Sequence, residues 1–388
     1  MSRGLKRKFV FLIIFASALI FYVRTVPQVS LNERAIVVGM GIDYEEGEYT
    51  VSTQIVNPIQ SGQANNMDDS YGVVYAKGKT IAECIGQISQ LTGLKVSLSQ
   101  CNLLIWGKGI VNENMIPSIG CLVQTYQFPE QAYMLVAENK AVDILRAKPL
   151  MTKISAFQIQ QTLNSMADDE SVINTNLKNF LGDYLSDSGA AIVAYIIAEE
   201  VAKEDSGGSM AEGENSKYHE FNYDKGILFS KKRPPLLLEK DDTVAANLIL
   251  EKIKSGGLTV NVDGVDFNLE LNEKKYKLDL KLVDGRVKYD GKIKIKYSIS
   301  EAGDINGYFS LSDITEELKG KIADAAAKEI ERKINAAYEK CKAAGYDIYM
   351  IYNKIYAKEG VKWKSAARED YLNQVDFSIS AEVEIRRT

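Results

Sequence analysis

The sequence predicts a multi-domain α+β protein in which mixed or antiparallel sheets are each packed with helices. Three observations predict this class. Strand-like and helix-like segments follow one another through the first half of the chain, a polar segment interrupts them, and the last quarter combines a long amphipathic helix with an alternating strand. A chain of 388 residues is also too long for one ordinary domain and suits two or three.

The last quarter of the chain reads as one packed unit. A helix capped by Asp313 and running to about Ala344 carries apolar residues at nearly every fourth position, which places them on one face. The segment from Val375 to Ile385 alternates apolar and polar residues, as a half-buried strand does. Three strands with short connections precede the helix. We therefore predict a C-terminal meander sheet that the strand at Val375 joins and the long helix covers.

Local patterns predict the other elements. A turn at Glu45-Glu46-Gly47-Glu48 indicates a hairpin, and Thr80 with Glu83 forms a capping box at the start of a helix. A change of phase at Gly264 indicates a bulge within one strand. In order, the predicted strands are Ala35–Asp43, Tyr49–Asn57, Tyr71–Ala76, Leu103–Trp106, Ala132–Val136, Ala190–Ala198, Val260–Leu271, Tyr276–Leu282 and Val287–Ile299, and the predicted helices are Thr80–Leu91, Asn112–Tyr126, Ala141–Ala147, Phe157–Leu185 and Asp242–Lys254.

Composition divides the chain into four predicted segments. Residues 1–24 are expected to form a membrane anchor, and residues 25–198 an N-terminal α/β-type domain that could contain two subdomains. Residues 199–222 are acidic and nearly free of large aliphatic side chains, which predicts a flexible linker. Residues 223–388 are expected to form a C-terminal α+β domain.

The first residues predict how the protein is localised. Four basic residues precede an unbroken apolar run from Phe9 to Val23, so the amino terminus is expected in the cytoplasm and the body outside it. A cleaved signal peptide, with Ala16-Ser17-Ala18 at the cleavage site, is the alternative to an uncleaved helix. The residues expected to form the membrane anchor are Phe9, Leu12, Ile13, Ile14, Phe15, Leu19, Ile20 and Phe21.

Motifs for catalysis are missing from the sequence. The only histidine, His219, lies in the predicted linker, where it cannot be oriented beside a nucleophile. The glycines of Gly39-Met40-Gly41 and Gly107-Lys108-Gly109 lack the rest of a dinucleotide fingerprint, so we interpret them as turn or packing residues. A net charge of −5 gives no basic face for nucleic acid. We therefore predict a protein that is not an enzyme and has no cofactor or metal.

Two clusters of carboxylates have simple structural interpretations. Asp241-Asp242 precedes a helix and is expected to cap it. Asp168-Asp169-Glu170 is expected to be a solvated loop, with a metal site or an acid–base pair as the weaker alternative. The four cysteines contain no Cys-x-x-Cys pair, and Cys341 near the apolar stripe of the long helix is expected to be a small core residue.

An aromatic cluster follows the long helix and gives a candidate partner surface. Amphipathic aromatic side chains favour interfaces, although packing of this cluster against the sheet edge is the alternative that the pattern favours. The candidate residues are Tyr346, Asp347, Tyr349, Tyr352, Tyr356 and Trp363.

Taken together, these segments resemble the Ger(x)C family, the C subunits of bacterial spore germinant receptors. The resemblance covers nearly the whole exported part. It rests on Leu31-Asn32-Glu33, Ala35-Ile36-Val37, Gly41-Ile42-Asp43, Val56-Asn57-Pro58, Gly78-Lys79-Thr80, the segment Leu236–Gly257, Asp347-Ile348-Tyr349, Tyr356, Trp363-Lys364 and Glu384-Ile385-Arg386-Arg387-Thr388. Thr25 stands where the family usually has a lipid-modified cysteine, so we expect an uncleaved helix to tether the chain instead.

The resemblance implies a non-catalytic subunit on the outer face of the inner spore membrane. It would act with an integral-membrane A subunit and a permease-like B subunit in the response to small nutrients. A membrane-tethered solute-binding protein, with its ligand cleft between the two halves, is the main alternative. A cell-wall enzyme is a third hypothesis, and the lone histidine in a polar segment weighs against it.

Overall fold

The computed structural model describes residues 12–17, 34–56, 71–111, 115–201, 217–251, 253–303 and 314–386. Within these ranges the chain forms two β-sheets and a series of helices. The first sheet contains β1 (Arg34–Glu45), β2 (Glu48–Val56), β3 (Tyr71–Gly78), β4 (Lys95–Ser97), β5 (Leu103–Trp106), β6 (Tyr133–Ala137), β7 (Ala190–Val201), β8 (Tyr218–Ser230) and β9 (Leu236–Leu238), and the second contains β10 (Gly257–Val262), β11 (Val265–Val283), β12 (Arg286–Gly303) and β13 (Val375–Arg386). The helices are α1 (Ile81–Thr92), α2 (Lys108–Val111), α3 (Met115–Tyr126), α4 (Ala141–Arg146), α5 (Ser155–Ser165), α6 (Leu177–Leu185), α7 (Lys240–Leu250), α8 (Glu316–Ala344), α9 (Ile351–Glu359) and α10 (Val361–Ala366).

The first sheet is mixed. Its strand order is β3-β2-β1-β5-β6-β7-β8-β9, with β4 beside the first residues of β1. Strands β1, β5, β6 and β7 are parallel, and the strands on either side of them are antiparallel. All four residues of β5 are buried, because helices cover both faces of the sheet. Helices α1, α3 and α6 pack on one face, and α4, α5 and α7 pack on the other.

The second sheet has one buried face and one solvated face. Strands β10, β11 and β12 form an antiparallel meander, and β13 adds to β12 in parallel. Helix α8 covers the buried face and also contacts α7, so it joins the two sheets into one core. The residues of α8 that are buried there are Ile322, Ala326, Ile330, Ile334, Ala337, Tyr338 and Cys341.

These observations confirm the predicted α+β class, the C-terminal meander and the long covering helix. Cys341 is buried as expected. The predicted cap Asp313 lies outside the described residues. In the structure the Thr315 hydroxyl accepts a hydrogen bond from the N–H of Leu318 at 3.2 Å, and Gly345 ends the helix with a φ of 80°.

Three predictions about elements were wrong. The change of phase at Gly264 is a hairpin turn rather than a bulge, because Asp263 and Gly264 both have positive φ and β10 pairs with β11 across them. The segments from Val265 to Leu271 and from Tyr276 to Leu282, predicted as separate strands, form a single strand, β11. Its register against β12 shifts twice, between Asn268 and Leu269 and between Leu271 and Glu273. The predicted helix Phe157–Leu185 is two helices, α5 and α6, with the acidic cluster between them.

The predicted flexible linker is strand at both of its ends. Glu199 pairs with Glu220 and Val201 pairs with Tyr218, so β7 and β8 continue into it. Residues 202–216 lie outside the described part of the chain. Because β8 and β9 complete the first sheet, that sheet takes strands from both sides of the predicted linker.

The amino-terminal segment is described only in part. Residues 12–17 are helical, and Leu12, Ile13, Ile14 and Phe15 are exposed. The other predicted anchor residues, Phe9, Leu19, Ile20 and Phe21, lie outside the described residues. In the ranges that the structure covers, no helix is both long enough and apolar enough to cross a membrane.

The outer edge of β13 is partly covered by a side chain of α8. The N–H of Ala381 donates a hydrogen bond to the Glu331 carboxylate at 2.8 Å. Strand β13 pairs only with β12 among the described strands, so this bond satisfies a backbone donor on the open side of the sheet.

A short backbone junction connects the two halves. The Asp168 carbonyl accepts hydrogen bonds from the N–H groups of Lys254 (2.7 Å) and Ser255 (3.2 Å), and the Glu170 N–H donates to the Ser255 carbonyl at 3.1 Å. Asn247, which is 2 % exposed, donates from Nδ2 to the carbonyls of Glu170 (2.8 Å) and Val172 (3.0 Å). The buried Asn247 side-chain amide of α7 therefore holds residues 170–172 in place beside the junction.

Replacing Asn247 should destabilise the protein strongly. We expect Asn247→Ala to lower the free energy of unfolding by about 3 kcal/mol, because two buried carbonyls lose their donor. Chemical denaturation measures the change. The matched control is Asn335→Ala on the exposed face of α8, where Nδ2 donates to the Glu331 carbonyl at 2.8 Å. Its effect should stay within about 0.5 kcal/mol, and equal losses for both variants would contradict the role of the junction.

Candidate functional site

Asp347 organises the turn between α8 and α9. Its carboxylate accepts hydrogen bonds from the N–H groups of Ile351 (2.8 Å) and Tyr352 (3.0 Å) and from the Tyr371 hydroxyl (2.7 Å). The first two donors are at the start of α9 and have no partner within the helix. Burial raises the pKa of Asp347, and its hydrogen bonds oppose that rise. Its oxygens are occupied by the fold itself.

Four of the six predicted surface residues are buried. Tyr346, Asp347, Tyr349 and Trp363 are 7 %, 5 %, 0 % and 0 % exposed. The Tyr349 ring stacks with that of Phe377 at a centroid distance of 5.6 Å. These four residues therefore pack in the core in this structure, as the core-packing alternative describes, and do not form an open surface.

Tyr352 and Tyr356 are the two members of the set that reach the surface. Tyr356 is 36 % exposed and Tyr352 is half-buried. Their rings stack at a centroid distance of 6.4 Å, and Tyr352 also contacts Tyr371 edge to face at 5.2 Å. They lie one helical turn apart on α9, so they form a continuous aromatic surface.

Helix α9 contacts the first half of the chain through Asn353. Its Nδ2 donates to the hydroxyls of Ser186 (2.8 Å) and Ser188 (3.1 Å), and its Oδ1 accepts from the Ser188 N–H at 3.0 Å. Beside these bonds lies a cleft of ≈ 860 Å³. Residues 187–190 and 230–233 form one wall, and Tyr352 with residues 367–371 forms the other.

Charges of both signs line this cleft. Lys232 and Glu369 form an ion pair across it at 3.2 Å, and both side chains are largely exposed, so the pair stabilises the fold little. The Arg233 guanidinium lies over Gly345, where a Cβ atom would come within 2.4 Å of it. A cation is favoured there because Gly345 ends α8, whose carbonyls carry partial negative charge. The other charged side chains that line the cleft are Lys231, Arg368, Asp187, Asp347 and Asp370.

The carboxyl edge of the parallel strands is filled by a side chain. Asp43 accepts hydrogen bonds from the N–H groups of Ala141 (2.8 Å) and Val142 (3.3 Å) at the start of α4. Helix N–H groups at this edge hold the phosphates in dinucleotide-binding folds. A Cβ atom on Gly107 would lie 1.8 Å from Asp43 Oδ1, and one on Gly41 would lie 2.5 Å from a serine hydroxyl. Both glycines therefore serve packing, as their sequence context indicated.

The acidic cluster is solvated only in part: Asp168 is exposed, whereas Glu170 is buried, which corrects the prediction for Glu170. Glu170 is 5 % exposed and accepts a hydrogen bond from the Gly257 N–H at 3.1 Å. Gly256 leaves room for it, since a Cβ atom there would lie 2.4 Å from the Glu170 carboxyl carbon. Burial raises the pKa of Glu170 to about 7 and lowers that of nearby Lys274 to about 8.

His219 lies in β8 rather than in a linker. Its backbone N–H donates to the Lys148 carbonyl at 2.7 Å, and its imidazole Nδ1 accepts from the Lys148 backbone N–H at 3.2 Å. Both bonds are to backbone, so the imidazole has a structural role in this structure. His219 was placed in the linker because β8 begins earlier than the composition suggests.

The residues that join the two sheets have no signal in the sequence. Asn353 and Ser188 are 165 positions apart, and Asn247 and Glu170 are 77 apart. A single sequence carries no periodic signal for contacts of this kind. The acidic cluster is visible in the sequence, but nothing local shows that Glu170 is enclosed by Gly256.

Comparisons with known proteins agree with this architecture. A family model described as "Spore germination protein N-terminal domain" matches residues 27–198, and one described as "Spore germination B3/ GerAC like, C-terminal" matches residues 225–388. The crystal structure of the GerBC protein is similar in fold, with a TM-score of 0.52 and 13 % identity over 89 % of this chain and 96 % of that chain. A search of curated proteins found no match.

The two matched regions and the shared fold define a spore germination protein. The chain belongs to the Ger(x)C family. This confirms the resemblance drawn from its short segments.

Enlarging Gly107 should disrupt the capped edge of the first sheet. We expect Gly107→Ala to lower the free energy of unfolding by about 3 kcal/mol, because the new Cβ must displace Asp43 or the backbone. The control is Gly120→Ala in α3, which has nothing within 4 Å of the new Cβ. That change should be neutral or stabilise by up to about 1 kcal/mol. Thermal or denaturant unfolding of the two variants compares them directly.

Glu170 should make stability depend on pH. Its pKa is about 7 when folded and 4.5 in an unperturbed chain, so the folded state holds the proton more tightly. Its stabilising contribution is then complete below pH 4.5 and is lost as pH rises through 7. We expect Glu170→Gln to match the parent protein at low pH and to exceed its stability by about 3 kcal/mol above pH 7.

The control for this measurement is the exposed Glu130→Gln, whose difference from the parent protein should be small throughout. Unfolding followed between pH 4 and pH 8 gives both curves. A Glu170→Gln difference that does not grow with pH would show that the carboxyl is not held in its neutral form.

Proposed function

We propose that this chain is the non-catalytic C subunit of a spore germinant receptor, held on the outer face of the inner spore membrane. The observation that carries the proposal is the match of both family domains, in order, over residues 27–198 and 225–388. The basic and apolar residues before residue 24 support a single amino-terminal anchor. The two matched regions also support sequence domains over 25–198 and 223–388, although β8 and β9 complete the sheet of the first domain.

The arrangement of buried polar groups supports an assembly role. Asp43 caps α4, Asp347 caps α9, and Glu170 is enclosed at the junction, so these carboxylates hold the fold together. His219 bonds to backbone. The chemistry of this chain is accordingly that of a scaffold that presents surfaces to an integral-membrane A subunit and a permease-like B subunit.

Tyr352 and Tyr356 are the proposed contact for these partners. Tyrosine in a partly exposed cluster is typical of residues that dominate binding energy at interfaces. Tyr352 lines the cleft, so a partner that binds the two tyrosines would also contact residues from both walls of the cleft.

A tethered solute-binding protein is the second candidate, and the cleft is the observation that favours it. The cleft has a volume of ≈ 860 Å³, and each of its two walls carries charges of both signs. These properties suit a small polar solute. Heat released on titration of amino acids or sugars into the full chain would support this candidate over the first.

Removing the exposed tyrosines should weaken assembly. We expect the Tyr352→Ala/Tyr356→Ala variant to co-purify with the neighbouring A and B subunits at least about tenfold less than the parent chain does. The control is Tyr75→Ala, a tyrosine that is 44 % exposed. It lies on β3, the edge strand of the first sheet on the side away from β7 and β8, which border the cleft. Normal recovery of the double variant, with normal nutrient response in spores, would contradict the proposed contact.

A further inference from the structure

A bulge between β7 and β8 brings two polar side chains next to each other. Ile196 of β7 stands opposite two residues of β8, Tyr223 and Asp224, because the register of the pair shifts there. Bulges of this kind redirect side chains and are frequent beside functional sites. The extra residue interrupts the alternation of β8, so the adjacent side chains of Tyr223 and Asp224 line the same pocket.

This pocket lies between the bulge and helix α5, and we call it the bulge pocket. Its volume is ≈ 400 Å³. Gln158, Thr162 and Met166, which follow one another at every fourth position of the chain, form its wall on the α5 side, and residues 171–172, 199 and 220–224 complete it. The bulge pocket shares no lining residue with the cleft beside α9, so the two are separate places in the fold.

Two oxygen atoms at the bulge pocket are buried without a hydrogen-bond partner among the described residues. Tyr223 is 7 % exposed, and its hydroxyl lies near Thr162 without a hydrogen bond of acceptable geometry. Asp224 Oδ1 is also unpartnered, whereas Oδ2 lies 3.9 Å from the largely exposed Lys240. Buried polar atoms in folded proteins are nearly always paired, so these two oxygens indicate a missing donor.

The charged side chains among the lining residues are all carboxylates: Glu199, Glu220 and Asp224. Glu199 stands directly opposite Glu220 in the register of β7 and β8, an arrangement of like charges that is unfavourable. Neither glutamate forms an ion pair within the described residues. Lys225, which follows Asp224, is already paired with Glu239 at 2.8 Å. The electrostatic environment of the pocket therefore favours a cation.

The donor set suits an organic ammonium group better than a metal ion. In the part of the chain that the structure describes, no group of three or more His, Cys, Asp or Glu side chains could hold a metal. A primary ammonium carries three N–H donors, as the lysine side chain does. Those donors match the unpartnered oxygens of Asp224 and Tyr223 and the Thr162 hydroxyl. The Phe221 and Tyr223 rings, 6.5 Å apart, offer apolar surface to an attached carbon chain.

We propose that the bulge pocket binds a small molecule through a primary ammonium group, with Asp224 as its charged partner and Tyr223 as a hydrogen-bond acceptor. This site goes beyond the role of a receptor subunit and does not depend on it.

The test titrates butylammonium chloride into the full chain in detergent and follows binding by ligand-observed NMR. Butanol and butyrate are the matched probes, since they keep the short carbon chain and replace the positive charge by none or by a negative one. We expect butylammonium to bind with a Kd of about 1 mM and the other two probes to bind at least about tenfold more weakly.

Variants of the two oxygens test the assignment. Asp224→Asn should raise the Kd for butylammonium at least about tenfold, because a charge-assisted hydrogen bond is lost. Tyr223→Phe should raise it about threefold and leave the free protein at least as stable as the parent, because it removes a buried hydroxyl that has no partner. The control is Asp279→Asn, an exposed carboxylate paired with Lys281 at 2.6 Å, which should change neither quantity.

Several results would overturn the proposal. Butanol that binds as tightly as butylammonium would show a merely apolar pocket. Butylammonium affinity that survives both Asp224→Asn and Tyr223→Phe would place the cation elsewhere, and no binding of any probe would leave the pocket to water. A Tyr223→Phe protein less stable than the parent would show that the fold itself uses the hydroxyl. None of these results bears on the receptor role, which co-purification with the A and B subunits tests.

Discussion

The structure depends on the pairing of residues 168–170 with residues 254–257, because here the chain that packs on the first sheet meets the start of the second sheet. Asn247 fixes the first segment from α7, and Gly256 gives the Glu170 side chain its space. With α7 also packed on α8, the second sheet has one position relative to the first. Asn353 then adds a second point of attachment at the start of β7, and the cleft between the walls follows from these two fixed contacts.

Carboxylates account for much of this architecture. Three carboxylates accept hydrogen bonds from backbone N–H groups at or just before the start of a helix: Asp43 at α4, Asp347 at α9 and Asp242 at α7. Asp242 also forms an ion pair with Lys340 at 2.5 Å. Each of these carboxylates is occupied by hydrogen bonds within the fold. The first sheet has the parallel strands of a nucleotide-binding protein, yet the Asp43 carboxylate occupies the helix terminus at which a phosphate would bind. Architecture alone would therefore mislead about function.

Much of the fold could be predicted from the sequence, because its strongest signals are local. The alternation in Val375–Arg386 and the four-residue spacing in α8 both come from burial of one face. Signals failed where two local patterns compete. A phase change at Gly264 fits a bulge and a tight turn equally well, and only pairing of β10 with β11 decides. Composition also misjudged residues 199–222, since a polar strand at a sheet edge can look like a linker.

The candidate site was harder to predict for a physical reason. Tyrosines spaced along a helix serve either a core or an interface, and their spacing is the same in both. Tyr349 is enclosed by the second sheet and α8, whereas Tyr356 on the next helix faces outward. The same limit applies to Glu170, whose neighbours come from a segment more than eighty positions away.

The hydrogen bond from Ala381 to Glu331 affects how neighbouring copies of the protein can pair through the edge of the second sheet. Long strands at the border of a sheet are templates on which further chains can be laid down, a hazard that grows when molecules are concentrated in two dimensions. Here a helix carboxylate occupies a backbone donor in the middle of that border. Crowded neighbours would meet a negative charge in place of a free hydrogen-bonding group, which discourages fibre-like stacking and keeps each molecule separate.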